Sequence, residues 1–319
     1  MNFARPGRPA RRRRSARCGF ALLAVLFMLA LIGAVAFEVH LMSRATRQTA
    51  VHARSFTRAR WAARGALARA LEALDARLIA DATGAMLLTK GDTLIALTPQ
   101  HSDGVTAVVA VLDPGARLHL NRATNSDLRL LAEAEGLAPE HAQSWADAVV
   151  DYRDADEFRH ARGAETEAYR ARGLSGRPRN APFNDVHELG AVYGMTAALD
   201  ARLGARLTVA GDGRINVNIA PRSVLRTLPF IDESAADAIV ERRARAPYTN
   251  GYDLALSLPN PARQRVVERM GDMLERVSFS ARDVEVIASG SADGGRVELR
   301  ATLTLAGGAR VVPRTLVER

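Results

Sequence analysis

The chain has 319 residues, 48% of them apolar and 25% charged, and a formal net charge of +9. Seven arginines within residues 1–19, with no acid among them, supply most of that excess and leave +2 for the remainder, so the charge gives little support to a nucleic-acid-binding body. The single cysteine, Cys18, sits in this basic leader, which excludes an intrachain disulfide framework.

Phe20 to Phe37 carries no charge, and Glu38 closes the run. That is the lower limit for crossing a hydrocarbon core of about 30 Å. Arginine on the leader side keeps that end in the cytoplasm. Gly33-Ala34-Val35-Ala36 also offers a small-x-small cleavage site, so an ordinary secretory signal stays open. No helix breaker follows, however. Ala45, Ala53, Trp61, Ala62, Ala66, Leu67, Ala70, Leu71, Leu74 and Leu78 continue the pattern with arginines between them, and no proline occurs until Pro99. One long helix is predicted, apolar at its start and amphipathic at its end.

Composition changes near Asp81. Strands are predicted at 85–89 and 93–98 around a turn at Lys90-Gly91-Asp92, with a stronger one at Val105–Leu112 stopped by Asp113-Pro114-Gly115. Residues 121–276 read as helices and loops. Strands return at 284–288 and 296–306 around a turn at 292–295, and a last extended piece covers 310–317. The simplest account is one domain of α+β class interrupted by a large all-helical insertion, its sheet completed by the C-terminal strands. Three domains in series is the alternative. The implied division is 1–19 leader, 20–41 membrane part of the helix, 42–80 its periplasmic part, 81–118 strands, 119–276 insertion and 277–319 closing strands.

The insertion carries an internal echo. Leu118-His119-Leu120-Asn121 precedes Thr124 and a leucine-rich helix; Ile215-Asn216-Val217-Asn218 precedes Pro221 and another. Thr and Pro suit helix starts. A second helix is expected after each, from Pro139 and from Ser234. The second unit, 216–252, is similar to helix-hairpin-helix modules of the SAM-like type that grip a DNA backbone. Such modules place glycine where backbone N–H groups approach phosphate. Here Phe230 stands in that place, and Asp232, Glu233, Asp237 and Glu241 add negative charge, so a packing role is favoured over a nucleic-acid clamp.

Asp151, Asp154, Asp156 and Glu157 are followed by Glu165, Glu167 and Tyr169. Ca²⁺ takes six to eight oxygen ligands from flexible loops, and Asp154 and Asp156 could share one ion with Glu165 and Glu167 closing the site. The spacing is not that of an EF-hand. A solvated loop whose acids cap helices or pair with Arg153, Arg159 and Arg162 is the competing reading. Nothing indicates an enzyme: the seven histidines are scattered, no HExxH, GxSxG or Walker loop occurs, and Gly211-Asp212-Gly213 reads as a turn. His141 and His187 read as ordinary helix residues.

Taken together, the leader ending at Gly19-Phe20, the apolar helix, Asn121, Asp151-x-x-Asp154-x-Asp156, Gly163-Ala164-Glu165 with Tyr169, Asn180-x-Pro182 with Glu188-Leu189, and Ile215-Asn216-Val217-Asn218 resemble the minor pseudopilin K family of type II secretion systems, known as general secretion pathway protein K. The resemblance implies a pilin-like sheet around the insertion, cleavage between Gly19 and Phe20 by a prepilin peptidase, and methylation of the new N-terminus. It also implies calcium bound in the inserted domain, with Asp151, Asp154, Asp156, Glu165 and Glu167 as ligands. Pilin-like subunits carry an acid at the fifth mature position; here Ala24 stands there, as expected of a tip subunit. Other minor pseudopilins and the inner-membrane assembly platform are the implied partners, with no nucleic acid, a single pass through the inner membrane and a periplasmic body supporting protein export. The alternative is a membrane-anchored helix-hairpin-helix DNA-binding protein of a DNA-uptake system.

Overall fold

The computed structural model describes residues 16–80, 93–173, 177–306 and 310–318. The predicted strand at 85–89, its turn at 90–92 and most of the basic leader lie outside them. The chain divides into two units, Met1–Thr57 and Arg58–Arg319.

Helix α1 (Ala16–Ala80, 65 residues) measures about 100 Å at the α-helical rise. It begins one turn before the predicted start. In the first unit Leu22, Leu26, Phe27, Leu29 and Phe37 are each more than half exposed, which is unfavourable in water and favourable in hydrocarbon. The helix is long and apolar enough to cross a membrane.

Three strands follow: β1 (Thr93–Ala96), β2 (Gln100–Ser102) and β3 (Val105–Leu112). The next segment holds β4 (Leu118–His119), α2 (Asn125–Ala134), α3 (Pro139–Arg153), α4 (Thr166–Ala171), α5 (Ala197–Gly204), β5 (Leu207–Thr208), β6 (Ile215–Asn216), α6 (Arg222–Leu225), α7 (Glu233–Arg243), α8 (Gly251–Ser257), α9 (Ala262–Glu268), α10 (Met270–Arg276) and β7 (Val277–Ser278). Strands β8 (Asp283–Ala292), β9 (Gly295–Ala306) and β10 (Arg310–Glu318) come last.

Among the described residues the main sheet is antiparallel, ordered β1-β3-β8-β9-β10, with β2 also on β3. Strands β3 and β8 pair along their length, from Val105 opposite Ala292 to Leu112 opposite Glu285. Residues 113–282 are therefore an insertion between two neighbouring strands. Each long strand alternates. Val109 and Val111, Val284, Val286 and Ala288, and Val297, Leu299, Ala301 and Leu303 are buried, whereas Val108 is exposed and Ile287 only partly covered. In the second unit the buried face meets Ala59, Ala63, Ala66, Ala70 and Leu74, which recur at helical spacing along one side of α1. Alanines bring the helix backbone close to the sheet. Gly290 on β8 makes the approach possible: a β-carbon there would stand 2.0 Å from the Ala59 carbonyl oxygen.

The insertion has its own hydrophobic core, centred on Leu120, Leu128, Leu131, Trp145, Tyr169, Leu189, Leu225 and Ile239. It is not wholly helical as predicted. β4 pairs in parallel with β5, and β6 with β7. The extended stretches before Asn121 and Asn218 are buried, and their backbone groups need partners; the returning chain supplies them. The two asparagines then do equivalent work. Asn121 donates to Phe183 O and accepts from Phe183 N, both at 2.8 Å. Asn218 donates to Tyr248 O and Phe279 O and accepts from Tyr248 N. Arg153 donates to the carbonyls of Leu120 and Ala123; Arg243 donates to those of Val217 and Ala220. These carbonyls hold matching positions in the two stretches. Thr124 opens its helix as expected, in a capping box with Asp127, and Asp232 caps α7, which starts one residue before the expected Ser234. Gly211 and Gly213 both have positive φ in the turn before β6.

Candidate metal centre in the inserted body

The C-terminal half of α3 presents Asp147 and Asp151 one turn apart, both buried. Their environments differ. Asp147 is fully engaged: Oδ1 accepts from Asn125 and Gln143, and Oδ2 accepts from the Arg162 amide. Asp151, with no exposed surface, accepts through Oδ1 from the His160 amide and meets His160 Nδ1 at 2.5 Å. Its Oδ2 has no partner. Helix α3 ends there, with Asp154 as C-cap.

Asp151, Asp154 and His160 bring their ligand atoms within 4.8 Å of one another. Besides Asp151 Oδ2, the buried Asp154 Oδ1, both carboxylate oxygens of Glu165 and the side-chain oxygen of Asn180 lack hydrogen-bond partners. Glu165 stands at the start of α4 and does not cap it. Asn180 is held with φ of 51°, its amide donating to Tyr152 O and its side chain to Glu157. Gly163 gives Asp151 Oδ2 its room, since a β-carbon there would lie 1.9 Å away.

The electrostatics follow from crowding. Burial, then the charges of Asp151, Asp154, Glu157 and Asp156, push the Glu165 carboxyl up to about 7. Burial and the neighbouring Asp156 and Asp151 also raise Asp154. The hydrogen bond to Asp151 raises His160. No arginine relieves the cluster by a direct ion pair among the described residues: Arg153 reaches the carbonyls of β4's extension, and Arg162 reaches Glu140 O. Five buried, unsatisfied, hard oxygen donors in an acidic setting suit a divalent cation of the calcium class.

Of the predicted acids Asp151 and Asp154 come together, joined by His160, and Glu165 lies near enough to feel their charges; Asp156 lies on the exposed rim, its Oδ1 accepting from the Phe158 amide. Glu167 is exposed in the first turn of α4. Sequence reasoning missed two members. His160 was one histidine among scattered ones, although its backbone and ring both reach Asp151. Asn180 stands in the sequence only as part of a motif; its positive φ is visible only in the fold.

Three arginines of the second asparagine-anchored unit are held in internal ion pairs. Arg222 pairs with Glu233 and Asp237, Arg242 with Asp253, and Arg245 with Glu241. Phe230 takes the hairpin position with φ of 66°.

A single long N-terminal helix, apolar enough at its start to cross a membrane, an antiparallel sheet on its C-terminal part and a helical body inserted between adjacent strands define a chain with two hydrophobic cores. The same fold occurs in a chain of the crystal structure of the GspK-GspI-GspJ complex from the enterotoxigenic Escherichia coli type 2 secretion system, at a TM-score of 0.58 and 17% identity, over 88% of this chain and 99% of that one. The family model described as type II secretion system (T2SS), protein K, matches residues 112–212. A protein of Pseudomonas aeruginosa named type II secretion system protein K is 30% identical over 166 residues, 49% of this chain and 50% of the relative. One of the same name from Pectobacterium carotovorum subsp. carotovorum is 29% identical over 259 residues, 73% of this chain and 77% of the relative. The chain thus spans half the length of the first relative and about three quarters of the second. Over these stretches the chain is similar to type II secretion system protein K.

Proposed function

We propose that this chain is a minor pseudopilin of a type II secretion system, placed at the pseudopilus tip, where it helps initiate assembly and supports protein export across the outer membrane. The observation that carries this reading is the insertion of residues 113–282 between the paired strands β3 and β8, overlapped by the family match at 112–212. Such a bulk beside the fibre axis suits an end position and obstructs a shaft. In this reading the prepilin peptidase cleaves between Gly19 and Phe20, and the new N-terminus is methylated. Ala24 leaves the fifth mature position without an acid, so the helix start sits in lipid without a charged partner. The chain spans the inner membrane once, leader in the cytoplasm and body in the periplasm, and meets the assembly platform there. Companion minor pseudopilins of the GspI and GspJ kind are its partners, as in the complex named for the E. coli structure. The two asparagine-anchored units serve as helix-hairpin-helix packing modules; the internal ion pairs of Arg222, Arg242 and Arg245 argue against the DNA-uptake alternative.

Calcium fits the acidic cluster, with Asp151, Asp154, Glu165 and Asn180 as the inner donors and Asp156 at the rim; exposed Glu167 has the weakest claim. Bound there, the ion would neutralise the crowded carboxylates and tie the end of α3 to the start of α4. No enzymatic role is proposed. Mass spectrometry of the mature N-terminus tests the class. A methylated Phe20 that appears only with the prepilin peptidase is the expected result. A start near Ala34 to Phe37, or an intact Met1, would overturn it.

A further inference from the structure

A concave pocket of about 550 Å³ opens on the inserted body, away from the acidic cluster's inner donors. Leu137, Trp145, Tyr193 and Leu199 supply its apolar and aromatic wall, and Arg162, Arg172 and Arg202 stand around it. No acid lines it. The volume lies in the range of ligand and side-chain pockets. All three arginines are exposed, and none forms an ion pair among the described residues. Arg172 lies over the Tyr193 ring at 4.5 Å, which fixes its plane. Glu133 is held by Arg129 and Glu135 by Arg206. Asp200 sits beside Gly190 and Gly204. Trp145 is 4% exposed, and its indole N–H has no acceptor.

We infer that this pocket docks an acidic, leucine-bearing segment of a partner protein, its carboxylates on Arg172 and Arg202 and its apolar side chain on Trp145 and Tyr193. Guanidinium forks match carboxylates two bonds at a time. Three separate forks call for more than one acid, which favours side-chain carboxylates over a single chain terminus. A pocket with an aromatic wall and a charged rim resembles the anchor sites that dominate protein interfaces. Its concave shape does not track an extended phosphate backbone, unlike single-strand binders.

The probe is a fluorescein-labelled peptide of alternating glutamate and leucine, blocked at both ends and titrated into the full chain in detergent. The expected result is saturable binding that weakens with salt. Binding should fall about tenfold or more, roughly 1.4 kcal/mol, in the Arg172→Gln, Arg202→Gln double variant. It should fall similarly when glutamine replaces glutamate in the peptide. The chain has two tryptophans, so in a Trp61→Phe background Trp145 emission should change on binding. Both substituted arginines are exposed, so the double variant is expected to fold, and unchanged calcium binding by it separates this result from the fate of the metal centre. Absence of binding to the unsubstituted chain, equal binding by the glutamine peptide or by the double variant, or equal displacement by a single-stranded oligonucleotide would each overturn the inference.

Discussion

A β-carbon on Gly163 would stand 1.9 Å from Oδ2 of Asp151 and 3.1 Å from the Asp147 carbonyl. The glycine is demanded by proximity, not by backbone angle, because it is the space in which an unsatisfied carboxylate oxygen sits. Gly163→Ala must turn Asp151 away or move the loop that carries His160. The expected outcome is a loss of calcium affinity of about tenfold or more, read by calorimetry on residues 45–319. Unchanged affinity would show that Asp151 Oδ2 takes no part.

The donor assignment separates two acids that sequence spacing treats alike. Glu165 has both oxygens buried without partners, whereas Glu167 is exposed. Glu165→Gln, Asp154→Asn and Asn180→Ala are each expected to weaken calcium about tenfold or more, and Glu167→Gln to leave it unchanged. Calorimetric titration of the four variants decides it. A loss in Glu167→Gln equal to that in Glu165→Gln would reverse the assignment.

Much of this was legible in the sequence. The apolar run exposes a helix long and apolar enough to cross a membrane, because lipid imposes a length rule on any chain. β3, β8 and β9 were readable from alternation and from the Asp113-Pro114-Gly115 stop. The acidic run around Asp151 stood out by spacing. The strand pairs β4–β5 and β6–β7 were not readable: two residues carry no periodicity, and their partners lie far along the chain. Asn180 and His160 escaped for the same reason, since their roles depend on where the loop after α3 returns.

The paired asparagines give a stability comparison. Asn218 makes three side-chain hydrogen bonds to Tyr248 and Phe279, and Asn121 makes two to Phe183. Removing either leaves backbone groups unsatisfied within the insertion's core. Asn218→Ala is expected to cost about 2–4 kcal/mol and Asn121→Ala about 1–3 kcal/mol. Urea unfolding of 45–319 measures both, and the reverse order would contradict the hydrogen-bond count.

Asp113 predicts a pH dependence. It is buried where the sheet meets the insertion, and desolvation raises its carboxyl from 3.8 to about 6 despite hydrogen bonds from Asn216 and Gly115. The folded state therefore holds its proton more tightly than the unfolded state. Between pH 3.8 and about 6 the unfolded chain has released this proton while the folded chain keeps it, so this contribution to stability falls as pH rises. The loss is complete above the folded value and amounts to about 3 kcal/mol. Asp113→Asn is expected to remove this slope, while other acids contribute equally to both proteins and cancel. Parallel pH profiles for the two proteins would exclude Asp113 as the source.

Two glycines test how α1 meets the sheet. Gly290 lies under the helix, where a β-carbon would meet Ala59 O at 2.0 Å and Ala63 N at 2.7 Å. Both obstacles are backbone, so neither can swing aside. Gly290→Ala must lift the helix off β8 and open the layer formed by Ala59, Ala63, Val286 and Leu299. A cost of about 2 kcal/mol or more is expected, at the upper end for overpacking. At Gly65, on α1 itself, a β-carbon would have nothing within 4 Å. Gly65→Ala is expected to stabilise by about 0.5–1 kcal/mol through helix propensity alone. Opposite shifts in melting temperature for these two equal additions of one methyl group are the expected result. A neutral Gly290→Ala would mean that the alanine stripe does not hold the helix against the strands.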